Sequence, residues 1–81
     1  MEQKIKQDST VSIGRNIRRV RLERGMGQTA LVRAVQLDGV DLTRETLVKI
    51  ERGTQHIYAG QLRAIRDALG TTYEELLAGM E

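Results

Sequence analysis

Between its glycine breaks the chain repeats one pattern, an aliphatic residue every three or four positions. Ile13, Ile17 and Val20 stand at i, i+4 and i+7; Leu31, Val32 and Val35 follow, then Leu47 and Ile50, then Leu62, Ile65 and Leu69. This is the helix period, and little of the sequence alternates as a half-buried strand requires. Composition narrows the choice further. The 81 residues include no Cys, Pro, Phe or Trp, so the core must come from Leu, Ile, Val, Met and Ala. Neither a disulfide frame nor a thiolate zinc site is open to such a chain. The expected fold is all-α, a compact five-helix single domain, small enough that its stability depends on tidy helix packing.

The breaks place the elements. Ser9, Thr10 or Ser12 can cap a first helix running to about Arg24, with Leu22 on the side away from the apolar stripe. "RGMG" ends it, since two glycines in three residues depress helix propensity. A second helix reads "QTALVRAVQ" from Gln28, and "LDGVDL" connects it onward, with Gly39 free to take a left-handed conformation. The third helix, in "DLTRETLVKIERGT", has Thr43 as its N-cap and Gly53 as its stop. "TQHIYAG" is a loop; a fourth helix spans about residues 59–69 and closes at Gly70. Thr72 and Glu75, at capping-box spacing, open a short fifth helix ahead of Leu76 and Leu77. Residues 1–10 are expected to form a polar, flexible arm, 11–78 the domain and 79–81 a tail. No apolar run is long enough to cross a membrane, and "MEQKIKQDST" is too polar for a signal peptide, so a cytoplasmic protein is expected.

Net charge is only +2, but it is unevenly spread: residues 1–24 carry seven Lys/Arg against three Asp/Glu, and residues 59–81 carry two against four. A basic excess at one end suits a polyanion on one face. The third helix also has two unlike faces. Thr46, Leu47, Ile50 and Glu51 fall on one side, which should meet the core. Arg44, Glu45, Val48, Lys49 and Arg52 fall on the other. Taken alone, that outer arc reads as a solvated face, with Glu45 and Lys49 as an i,i+4 pair.

The order of motifs points further. "IRRVRLERGMGQTALV", "TRETLVKIERGT", "LRAIRDALG" and "YEELL" follow one another with spacings that resemble the helix-turn-helix domain of the phage Cro and repressor (XRE-type) family, from Ile13 to Leu77. No single piece is specific; the ordered set is. The chain departs from the family by about five extra residues, placed in "QLDGVD". It has Val32 where the family has alanine, and "IYAG" in place of Pro-Ser before the fourth helix.

The resemblance implies a sequence-specific double-stranded DNA-binding transcriptional regulator, a repressor, that reads a pseudo-palindromic operator as a homodimer through the third helix. It makes Arg44, Glu45, Val48 and Lys49 the base readers. Arg44 can donate two hydrogen bonds to guanine, Glu45 can accept from cytosine N4, Val48 can meet a thymine methyl, and Lys49 can reach guanine or a phosphate. Gln28, Thr43, Arg52, Thr54, Gln55 and Tyr58 stand at backbone-contacting positions, with Tyr58 equally suited to packing on the fourth helix. Arg21 and Glu51 are implied as a partly buried structural ion pair. No cofactor, metal or small-molecule ligand is implied. The lone histidine, His56, is expected in an exposed loop without partners for a metal or catalytic site. An enzyme is not expected, for no nucleophile, base or phosphate-binding glycine loop converges. The alternative is a helical protein-interaction module, antitoxin-like or anti-repressor-like, using an exposed apolar set of Leu22, Val40, Leu42 and Met80. The same set would also serve a homodimer seam.

Overall fold

The structure, a computed structural model, describes residues 7–79, with side-chain environments from Ser12 onward. Five helices form a compact, mostly helical domain: α1 (Gln7–Glu23), α2 (Gln28–Leu37), α3 (Arg44–Arg52), α4 (Ala59–Leu69) and α5 (Tyr73–Leu76). Among the described residues no helix is long and apolar enough to cross a membrane. α1 starts earlier than expected, so Ser9, Thr10 and Ser12 all lie inside it and none is its N-cap. Serine and threonine lower helix propensity only modestly, so they do not stop the helix from starting before them. Of the expected arm, residues 1–6 lie outside the described residues, as do residues 80 and 81 of the tail.

The remaining helix ends are set by local chemistry. Thr43 Oγ1 accepts from the Thr46 N–H at 3.1 Å, and Gly53 closes α3 in the left-handed region at φ 77°. Tyr58 is an indifferent cap in its side chain, but Gln61 reaches back to accept from the Tyr58 N–H at 3.0 Å, half of a capping box. Thr72 Oγ1 accepts from the Glu75 N–H, which starts α5. Asn16 then ties that short helix to α1, its amide donating to the carbonyls of Leu76 and Ala78 at 2.9 Å each. Arg24 does the same for the end of α4, donating to the Leu69 carbonyl.

The apolar stripes meet in one core of Ile13, Ile17, Val20, Leu31, Val35, Leu47, Ile50, Leu62, Ile65 and Leu69, with Val32 at its edge. Two further members come from connections. Leu42 and Ile57, 2% and 0% exposed, close the core between the helices. Leu42 was expected at the surface and is instead buried, because the connection between α2 and α3 folds over the core, where Gln36 donates to the Leu42 carbonyl at 2.8 Å. Val40, also expected outside, packs against the core. Of the expected apolar set only Leu22 is exposed, and Met80 lies outside the described residues.

α1 crosses α3 so closely that backbones nearly touch. A Cβ on Gly14 would stand 1.9 Å from the Ile50 carbonyl oxygen and 3.2 Å from Glu51 Cα, so glycine is required there. This crossing fixes where the outer arc of α3 lies relative to α1.

Candidate functional site

At the crossing, an ion pair is built into the wall between core and surface. Arg21 of α1 donates from Nε to Glu51 Oε2 at 2.7 Å and from Nη2 to Glu51 Oε1 at 2.9 Å, with the two side chains 8% and 3% exposed. The hydrogen bond to Glu51 raises the Arg21 guanidinium above the ordinary arginine range, against the opposing effect of burial. Arg21 Nη1 also donates to the Met26 carbonyl at 2.9 Å, and Gln28 Nε2 donates to Glu51 Oε1 at 3.1 Å. Glu51 is thus satisfied from two helices. The pair holds the start of α2 against α3, and it fixes the Gln28 amide.

Directly outside this wall opens a cleft of about 580 Å³, lined by Arg18, Gln28, Arg44, Val48, Glu51 and Arg52. Its size matches small-molecule pockets, but those are mainly apolar, whereas this one presents three guanidinium groups and one aliphatic side chain. Among the described residues, Arg18, Arg44 and Arg52 have no ion-pair or hydrogen-bond partner. The single carboxylate, Glu51, is already neutralised by Arg21. The first turn of α2 adds backbone N–H groups that no side-chain cap engages, since Gly27 is its N-cap. The cleft thus carries a net positive charge at its surface.

The sequence-predicted residues do not all share one place. Gln28, Arg44, Val48 and Arg52 share the cleft. Glu45 and Lys49 are exposed on α3 but do not line it. Thr43 and Gln55 line a separate, smaller hollow with Asp41, Leu42, Thr46 and Gln61. Thr43 is also engaged as a cap, and the Thr54 hydroxyl and N–H both donate to the Lys49 carbonyl, sealing the end of α3. Tyr58 is 39% exposed beside α4. His56 was expected to be exposed; it is half-buried and has an interaction of its own. Among the described residues no group of His, Cys, Asp or Glu could hold a metal ion.

Sequence reasoning missed Arg18. Its only signal was the run of arginines in α1, which reads equally well as a solvated face until the crossing with α3 is known.

Set against family models, curated proteins and solved structures, the chain matches none. The cleft must therefore be read from its own chemistry and from the ordered motifs of the sequence.

Proposed function

We propose that this domain is a sequence-specific double-stranded DNA-binding transcriptional regulator, a repressor-type helix-turn-helix unit whose α3 enters the major groove. The observation that carries the reading is the set of three arginines, Arg18, Arg44 and Arg52, unpaired among the described residues and gathered in one cleft around the outer arc of α3. Like charges without counter-charges weaken a folded domain by mutual repulsion, and a polyanion relieves that repulsion. Arg44, in the first turn of α3, has the chemistry for a bidentate guanine contact, and Glu45, Val48 and Lys49 on the same outer arc would meet neighbouring bases. Arg18, Arg52 and the first turn of α2 suit phosphates, which fix register without reporting sequence. One short helix makes few base contacts. Two copies reading half-sites about one helical turn apart would supply the rest.

A second reading, a helical protein-interaction module of antitoxin-like or anti-repressor-like kind, draws on Leu37 and Leu22, which are 83% and 56% exposed. Leu37 ends α2 and does not line the arginine cleft, so a protein could bind there without using it.

Selection from a random duplex library separates the two. A symmetric enriched motif, with affinity falling steeply as salt rises, is the outcome expected for the DNA regulator. No enrichment at low salt would overturn it and turn attention to the leucines.

A further inference from the structure

The cleft shares a wall with a second groove. This one, of about 410 Å³, runs along α1 and is lined by Arg15, Arg18, Arg19, Leu22, Glu51 and Arg52. Arg18, Glu51 and Arg52 line both hollows, so the cationic surface continues from α3 onto the outer side of α1. The reading of α3 as a major-groove helix draws on Arg18 and Arg52 at the shared wall, but not on Arg15 or the α1 side of this groove.

Its charges are unbalanced. Glu51 is taken up by Arg21 and Gln28, and Arg19 is paired with Glu23 at 3.4 Å. Arg15, Arg18 and Arg52 have no partner among the described residues. Arg15 and Arg18, at i and i+3, are neighbours on one side of the helix, separated by about 4.5 Å of rise. A single carboxylate or phosphate would satisfy one of them. A duplex strand, with one charge per about 3.4 Å of axis, can meet a row. The row stops at Leu22, one turn beyond Arg18, where the groove becomes apolar.

Resting on the DNA reading above, we propose that Arg15 and Arg18 form a second backbone clamp on α1, so that one strand of the duplex follows α1 as well as α2 and α3. The clamp is a positioning device: it sets the tilt of α3 in the groove and adds affinity on every sequence alike. An acidic protein segment is the other polyanion that could lie there, but Leu22 alone offers it little apolar anchorage.

The test is the salt dependence of binding to a mixed-sequence duplex about two helical turns long. Arg15→Gln and Arg18→Gln should each lower the slope of log affinity against log salt by about 0.9, and the double variant by about twice that. Arg15→Lys should restore most of the slope, since a phosphate contact needs charge more than a planar fork. Arg33 is the control: it is exposed and also unpaired among the described residues, but lines neither hollow, so Arg33→Gln should leave the slope unchanged. All these side chains are at the surface, and circular dichroism should show unchanged helix content. If Arg15→Gln leaves the slope intact while Arg18→Gln lowers it and the parent protein binds, the clamp along α1 is wrong and the α3 reading stands; if Arg18→Gln also leaves it intact, both lose Arg18. A parent protein that binds no duplex at low salt removes both. Equal losses from Arg33→Gln would reduce the row to a general positive field. Displacement of the duplex by poly-glutamate, abolished in Arg15→Gln with the duplex slope unchanged, would assign the groove to an acidic protein instead.

Discussion

Arg63 and Arg66 on α4 are held by surface carboxylates, whereas Arg18, Arg44 and Arg52 around the cleft meet none among the described residues, and Arg21 beneath them is buried against Glu51. On the α4 side, Arg63 reaches Asp38 at 3.1 Å and Asp67 at 3.2 Å. Arg66 donates to Asp67 at 2.8 Å and lies 4.4 Å over the Tyr73 ring. These groups are partly or largely exposed, so water and salt screen them and their net worth is small. At the α1–α3 crossing the same chemistry is out of water, and its geometry is bidentate. The difference is one of consequence. Exposed pairs can be lost singly, whereas removing one partner of a buried pair strands the other charge.

The largest expected effect comes from breaking the buried side of this contrast. Glu51→Ala should cost about 3 to 5 kcal/mol in urea unfolding, because Arg21 keeps only the Met26 carbonyl and Gln28 loses its acceptor. Glu45→Ala, on the exposed arc of the same helix, should stay within about 0.5 kcal/mol. Equal small losses for the two would show that the crossing does not depend on the pair. Next comes Gly14→Ala, for which an ordinary helix position would predict stabilisation of about 1 kcal/mol. Here the added Cβ meets backbone on α3 at 1.9 Å, and backbone cannot rotate away as a side chain can. A net loss on the order of 3 kcal/mol, the upper end of the overpacking range, is expected. A stabilised Gly14→Ala protein would mean that α1 and α3 can separate freely, and the cleft between them would not be a fixed feature.

Those two residues also mark what the sequence could and could not reveal. The spans of α2, α3 and α4 were legible from apolar period and glycine breaks, and in α3 cap and stop agree as well, with Thr43 before it and the left-handed Gly53 after it. Glu51 was legible as inward-facing from that period, but its partner on α1 came only with the family resemblance. Gly14 carried no signal, since a glycine inside a helix looks like a mere weakness until something is found pressed against it. Leu42 and Ile57 hid for a related reason: a lone aliphatic in a polar connection has no period, and only the path of the chain shows that it fills the core. The candidate site was legible on α3, where Arg44, Val48 and Arg52 share one arc, and at Gln28. Its α1 wall was not, because Arg18 joins the cleft through a crossing angle that no local pattern encodes.

A smaller effect tests the unpaired side of the comparison. Against a panel of single-base operator changes, Arg44→Ala should relax preference at one base pair of each half-site and weaken the preferred sequence by about 1 to 3 kcal/mol. Arg52→Ala should weaken all sequences by similar factors. Gln28→Ala needs a stability control beside it, because its amide also serves Glu51. If Arg44→Ala and Arg52→Ala gave the same uniform loss, the arc of α3 would be an electrostatic surface without base discrimination.

The smallest effect belongs to the exposed network. The hydrogen bond from Arg66 holds the Asp67 carboxyl below the usual aspartate range against the opposing effect of burial, with the charges of Arg66 and Arg63 and a hydrogen bond from Arg63 adding to it. A depressed carboxylate contributes stability that is complete above its unfolded-state pKa and disappears as pH falls through its folded-state pKa. The melting temperatures of the parent protein and Asp67→Asn should therefore differ slightly and by a constant amount near neutral pH. They should converge in the acid range below the ordinary aspartate value, where the carboxyl takes up its proton and no longer pairs with Arg66 or Arg63. Concentrated salt at neutral pH should produce the same convergence, since both partners are reached by solvent. The Glu51→Ala deficit, by contrast, should survive that salt almost unchanged, because the Arg21 pair lies where counter-ions do not enter. If salt erased both differences equally, the two ends of the molecule would not differ in kind, and the buried pair would be one more surface bridge.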